Sequence, residues 1–312
     1  MDLRFSVRFN NDVSPASFAR LAALAEEHGF DQIWVSNDLF FHSASVLVST
    51  AAAATSRIGL GVGVFNPVSM HPAEIAMVAA SLTDLAGGRV RLGIGAGADR
   101  FLEWAGMTFD PPVARTERAI GEIRALLAGQ APWAPEGRMR VPAAPVPLYV
   151  GAMGPRMLRM AGRIADGALP LLFPPRHYST AAAQIAEGAA TAGRAVSGID
   201  VAACIWCSID RDPQRARDAL AAKIAYYGPS FSADLLARAG ISPSDFSGGD
   251  VTPAMLGLGV AGGPDGVTAA CTQLVRDGAR HISFGPPLGP DPEAALKVLG
   301  SEVIPALTRL AQ

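Results

Sequence analysis

Three stretches of this sequence set glycine beside polar residues in a way that suits a flat or phosphorylated ligand. They read GLGVGVFNPVSMHP (59–72), RLGIGAG (91–97) and YVGAMGPRM (149–157). Gly59, Gly61 and Gly63 lie in an apolar run, where glycine costs backbone entropy and removes packing. A close approach by another group must compensate, either a ligand ring or neighbouring elements of a wall. Gly93, Gly95 and Gly97 resemble a dinucleotide G-x-G but lack the third glycine of that fingerprint. Gly95, Ala96 and Gly97 are therefore read as backbone open to a ligand, not as a Rossmann turn. In the third stretch Gly151, Ala152, Met153 and Gly154 form a turn and Pro155 opens a helix. Exposed amides at a helix start cradle a phosphate, with Arg156 or Arg159 adding charge; a simple turn is the alternative.

Acid–base groups near these stretches are few. Arg8 ends the first apolar run and cannot supply a proton at neutral pH, so it either anchors an anion or pairs with a carboxylate such as Asp38. Asp38 follows the second run and serves as acid or base if a cleft raises its pKa, or orients its neighbours by hydrogen bonds. His42 and His71 are further proton donors, although His71 directly before Pro72 suits a helix cap. Cys204 and Cys207 have C-x-x-C spacing inside VAACIWCSI, where strand alternation sends them to opposite faces. They read as two buried small hydrophobes, and no metal site is expected.

The elements that hold these residues alternate. Apolar runs near 4–9, 32–36, 58–64, 90–95, 146–151, 167–173, 201–209 and 281–285 predict eight strands, separated by Ala/Leu/Arg-rich segments of helical period. Ser14-Pro15, His71-Pro72, Pro155 and Asp212-Pro213 mark helix starts, and Gly29 and Gly87-Gly88 mark helix ends. Eight such units predict an α/β fold, a (β/α)8 TIM barrel, as one domain over residues 1–312. Two excursions interrupt it, one Pro-rich at 131–147 and one rich in Gly, Ser and Pro at 227–264, the usual material of lids and substrate walls.

Half of the 312 residues are hydrophobic, 17% are charged and the net charge is −2, which suits a large core under a thin polar skin. No basic run follows a phosphate backbone, so nucleic acid is not an expected partner. The longest apolar stretch, Ala44 to Thr55, is too short to span a bilayer, and the charged N-terminus does not resemble a signal peptide. A cytoplasmic protein acting on a small molecule is expected, with its three cysteines reduced.

In their order along the chain, GFDQIWVSND, RIGLGVGVFNPVSMHPAEIA, GGRVRLGIGAG, YVGAMGPRMLRMAGRIADG and HISFGPPLGPDPEAALKVLGSEVIP resemble segments of the luciferase-like superfamily. Within it they resemble the deazaflavin-dependent methylenetetrahydromethanopterin reductases. The resemblance implies a luciferase-like barrel with an insertion, binding coenzyme F420 or FMN at the carboxyl ends of its strands, and a homodimer. It places a non-prolyl cis peptide at Gly63–Val64, Phe65 and Asn66 bordering the ring, Gly95 to Gly97 beside it, and Gly151 to Arg156 on the cofactor phosphate. Two positions depart from the reductase pattern: Arg8 stands where those enzymes carry an acid, and Asn37-Asp38 stands where many deazaflavin members have Asp-His.

Three functions remain open on the sequence. The first is F420-dependent hydride transfer to or from a C=N, C=C or alcohol carbon, favoured by the C-terminal motif. The others are an FMN-dependent monooxygenase and a barrel that binds a cofactor or ligand without turnover. A site poor in acids and bases suits hydride transfer, because the cofactor carries the electronic work.

Overall fold

The computed structural model describes residues 3–97, 99–107 and 111–311. Its strands are β1 (Arg4–Phe9), β2 (Gln32–Val35), β3 (Gly59–Phe65), β4 (Val90–Ile94), β5 (Leu148–Ala152), β6 (Gly167–Pro170), β7 (Asp200–Ile209), β8 (Val260–Gly262) and β9 (His281–Leu288). All but β8 close into a parallel barrel: successive strands pair from β1 to β7, β7 pairs with β9, and β9 returns to β1. The predicted eight-stranded (β/α)8 barrel is therefore the observed fold.

The α-helices are α1 (Pro15–Glu27), α2 (Ala44–Ala54), α3 (Pro72–Leu85), α4 (Asp99–Trp104), α5 (Pro112–Leu127), α6 (Pro155–Ile164) and α7 (Tyr178–Thr191). They continue with α8 (Pro213–Tyr227), α9 (Ala233–Ala237), α10 (Pro253–Leu256), α11 (Pro264–Arg276), α12 (Pro292–Val298) and α13 (Ile304–Ala311). Their starts agree with the predicted signals. Ser14 accepts from the Ser17 amide ahead of α1, and Nδ1 of His71 accepts from the Ala73 amide at 3.2 Å ahead of α3, so His71 is a cap. No described helix is long and apolar enough to cross a membrane.

Three features were not predicted. β9 continues through a cis Pro286–Pro287 bond to Leu288, still paired with β7 after a register shift, although its prolines suggested an end at Gly285. The sixth strand stops at Pro170, while Leu171 keeps a single bridge to Cys204. β8, only three residues long, lies in the second excursion and pairs with Cys207–Ile209 of β7.

Packing inside the barrel explains several of the glycines. Trp34 is the register partner of Gly61, and a Cβ there would lie 2.2 Å from its indole. Tyr149 is likewise partnered with Gly167, where a Cβ would lie 2.1 Å from the ring. Trp34 and Tyr149 meet edge to face at 5.0 Å and fill the interior together with Leu169, Ala202 and Cys204. The flat group pressed against β3 at Gly61 is thus the protein's own indole. Cys207, on the opposite face of β7 from Cys204, lies in the outer core, and burial pushes both thiols up in pKa.

A polar network closes the amino end of the barrel. His281 lies between Asp200 (Nδ1 to Oδ1, 3.1 Å) and Ser6 (Nε2 to Oγ, 2.8 Å), and Tyr149 donates to Asp200 at 2.7 Å. Arg4 adds an ion pair to Asp200 at 3.0 Å. Ser6, His281 and Asp200 are linked in the order of a charge-relay triad. Ser6 is nevertheless 0% exposed, its hydroxyl bonds Ser283 at 2.8 Å, and the group sits at the end of the barrel opposite the strand carboxyl ends. It is structural.

A second, smaller core lies over the other end. Leu220 and Ile224 of α8 pack with Leu235, Leu236, Met255 and Leu258 against Phe173 and Trp206. α8 therefore belongs with the second excursion, which begins earlier than its composition indicated. The first excursion holds no helix or strand and folds back so that Trp133 packs on His71, ring centroids 4.9 Å apart.

Candidate active site

The site is assembled at the carboxyl ends of the strands. At its centre the Gly63–Val64 peptide is cis and the β3–β4 register shifts between Val62 and Phe65. The Val64 side chain is thereby directed into the barrel, beside Trp34, Tyr149 and Leu169. Gly93, Gly95 and Gly151 make room for it: a Cβ on them would lie 3.0, 3.2 and 2.8 Å from the Val64 methyl carbons. Phe65 points the other way and is buried in the outer core at 1% exposure, so its ring does not border the mouth. Asn66 is also turned inward, donating to the Ala96 carbonyl and accepting from the Val68 amide at 2.8 Å. It ties the two loops together, and Gly97 beside it takes a left-handed φ of +68°.

The third glycine stretch is open. A Cβ on Gly154 would meet nothing within 4 Å, and no side chain caps α6 at this residue. Arg156 is exposed, whereas Arg159 is held by Glu187 at 3.2 Å. Ala152 is buried in the outer core, and the Met153 carbonyl accepts from Arg238 at 3.1 Å. Arg238 comes from the second excursion and also touches Nε2 of His177 at 3.3 Å; burial and this neighbouring charge push the His177 pKa down. An uncapped helix start with free space and two nearby guanidinium groups fits a phosphate.

Asp38 is fixed by a residue that sequence reasoning passed over. Asn11, 1% exposed, donates to the carbonyls of Asp38 (2.9 Å) and His42 (2.8 Å) and accepts from the Asp38 amide at 3.2 Å. The Ser36 hydroxyl bridges Asn11 Oδ1 (2.8 Å) and Asp38 Oδ2 (3.1 Å). The loops after β1 and β2 are thus locked together, and only their being side by side in the barrel could reveal it.

Arg8 does not pair with Asp38. Its Nη2 donates to the Ile205 carbonyl at 2.9 Å and lies across Gly285, where a Cβ would be 2.2 Å away. A second cation, not anticipated from the sequence, joins it: Lys223 of α8 sits over the rings of Tyr227 (4.4 Å) and Trp206 (5.2 Å). Its pKa is lowered to about 8 by burial and by Arg8, against the pull of Asp12 and Asp38. Among the described residues no group of three or more His, Cys, Asp or Glu side chains could hold a metal ion.

A closed parallel barrel with its polar groups and an uncapped helix start at the strand carboxyl ends defines a cofactor-binding barrel enzyme. The luciferase-like monooxygenase family model matches residues 4–281, and the chain belongs to that family. It is 33% identical to a 5,10-methylenetetrahydromethanopterin reductase of Methanolobus tindarius, over 97% of this chain and 100% of that one. The solved coenzyme F420-dependent tetrahydromethanopterin reductase of Methanopyrus kandleri superposes with a TM-score of 0.88 at 29% identity, covering 98% of this chain and all of the other. The oxygenating constituent of 3,6-diketocamphane monooxygenase from Pseudomonas putida, solved with FMN, shares the fold at a TM-score of 0.75 and 17% identity.

Proposed function

We propose that the chain is a coenzyme F420-dependent oxidoreductase that transfers hydride to or from a C=N, C=C or alcohol carbon of a small organic substrate. The observation that carries this reading is the end-to-end likeness to an F420-dependent reductase, at 29% identity and a TM-score of 0.88. The likeness to the FMN monooxygenase, at 17% identity, is one of fold alone.

When bound, the deazaflavin supplies the carbon that gives or takes the hydride. The chain's own residues bind, orient and exclude water. The backbone from Gly151 to Gly154 and the Arg156 guanidinium hold the phosphate at the start of α6. Val64, raised on the β3 bulge, backs the ring, with Phe65 and Asn66 bordering it through their backbone and Gly95, Ala96 and Gly97 beside it. Asp38, held by Ser36 and Asn11, orients the reacting partners from the far side of the mouth. Arg8 contributes charge without a transferable proton.

Titration with F420 and with FMN, monitored by fluorescence, tests the proposal. Saturable F420 binding with no oxygen uptake by the reduced complex is the expected result. Oxygen uptake with reduced FMN would replace the reading with the monooxygenase one, and F420 binding without turnover across a broad panel of imines, enones and secondary alcohols would reduce the chain to a binding protein. We further propose that one barrel unit over residues 1–312 acts as a cytoplasmic homodimer; sedimentation equilibrium gives the mass that checks the dimer.

A further inference from the structure

Arg8 and Lys223 are two cations held at one mouth with most of their hydrogen-bonding capacity unspent. Arg8 makes a single protein hydrogen bond, from Nη2 to the Ile205 carbonyl, and its Nε is shielded from solvent without an acceptor. The Lys223 ammonium rests on the Tyr227 and Trp206 rings at 4.4 and 5.2 Å, and among the described residues it has no hydrogen bond or ion pair. Arg8 lies across Gly285, the register partner of the Trp206 on which Lys223 rests, so the two cations share one wall. Lys223 feels the charge of Arg8, and Asp12 and Asp38 act on it only from a distance. A buried donor without an acceptor is costly, and two like charges side by side add repulsion. An anion between them relieves both, and a planar guanidinium with a free Nε is shaped for a carboxylate or phosphate oxygen. The wall beside the pair is aromatic: Trp206 packs edge to face with Phe173 at 4.7 Å and against Phe231 at 5.6 Å.

We propose that Arg8 and Lys223 form a receptor for an anionic group, a carboxylate or phosphate, of a substrate whose apolar body lies along Trp206. The proposal rests on the hydride-transfer reading only in calling that ligand the substrate. Lys223 is supplied by the excursion and Arg8 by the barrel, so the receptor exists only when the two are packed together.

The test uses the full chain, with benzoate and inorganic phosphate as anions and benzamide as the neutral match for benzoate, read by calorimetric titration. Saturable binding of an anion is expected, with benzamide silent. Lys223→Met and Arg8→Gln should each weaken the anion by about ten-fold or more, a typical effect of removing one charge from a charge-assisted contact. Circular dichroism verifies folding, and should Arg8→Gln fail to fold, Lys223→Met and Lys223→Gln carry the test. No saturable binding by either anion, or equal affinity in wild type and the Lys223 variants, overturns the proposal. Repeating the titration with F420 added separates the sources: unchanged or stronger anion binding assigns the receptor to the substrate, whereas competition with F420 assigns it to the cofactor and overturns the proposal. Because the first titrations contain no cofactor, failure of F420 to bind leaves their outcome intact.

Discussion

At the scale of single residues, Lys223 is a charge kept at a cost. Its pKa in the fold, about 8, lies below the roughly 10.4 of an unfolded lysine. Between these values the unfolded chain binds more protons than the folded one, so stability rises with pH across that window. Below it the folded state bears the full penalty of an enclosed ammonium. Lys223→Met is therefore expected to raise the melting temperature at pH 7 by on the order of 2–4 °C, with the gain shrinking as the pH passes from 8 toward 10. Differential scanning calorimetry across that range checks it; a variant less stable at pH 7 would show that the ring contacts outweigh burial. Lys223 was not legible in the sequence because AAKIAYY reads as a solvated position on an amphipathic helix. Only the folding of α8 over the mouth gives it Trp206 and Arg8 as neighbours. Arg8 and Asp38 were legible as polar residues ending apolar runs, but not the partner each would choose.

Among the elements, the glycines divide into two kinds that look alike in sequence. Gly61, Gly93, Gly95 and Gly151 are vacated for Trp34 or Val64, whereas Gly154 faces open space. The two kinds respond differently to substitution. Gly61→Ala drives a Cβ into the Trp34 indole, which is pinned from below by its hydrogen bond to Gln32 at 2.8 Å. We expect a loss of about 2–3 kcal/mol in urea denaturation, recovered in part by Trp34→Leu in the same chain. Gly154→Asp should leave the urea midpoint nearly unchanged, because a Cβ there meets nothing within 4 Å, yet weaken F420 by about a hundred-fold or more through repulsion at the phosphate. Unchanged F420 affinity would place the phosphate elsewhere. Helix starts were readable from Ser14-Pro15, His71-Pro72 and Pro155 because side-chain caps and first-turn prolines act locally. The end of β9 was not, since its proline pair remains in the sheet only through pairing with β7, and β8 is too short to show a period.

For the molecule as a whole, the two ends of the barrel do different work. The amino end is fastened by Asp200, whose carboxyl is held well below the usual range by His281, Tyr149 and Arg4 despite its burial. A carboxylate lowered in the fold contributes stability that is complete above its unfolded pKa, near 4, and is lost as the pH falls through the lower folded value. Asp200→Asn should cost about 2–4 kcal/mol at pH 7, a penalty constant down to about pH 5 and narrowing below pH 4. Urea midpoints of both proteins at pH 7, 5 and 3.5 measure it; a penalty that grows in acid would assign the stabilisation to another group. The carboxyl end, with its smaller core, carries the proposed site.

The second excursion leaves and rejoins the barrel at one point: the Asp210 amide donates to the Gly262 carbonyl at 3.3 Å, where Ile209 and Gly262 are register partners. A segment whose ends are already joined behaves as a cassette. Its length can change at an entropic cost that grows only with the logarithm of the number of residues, and the strands on either side need not move. Relatives can thus exchange the whole segment from α8 to α10 for other sequences while keeping the rest of the wall. In doing so they would replace Lys223 but not Arg8, and so change the charge a new substrate must bring.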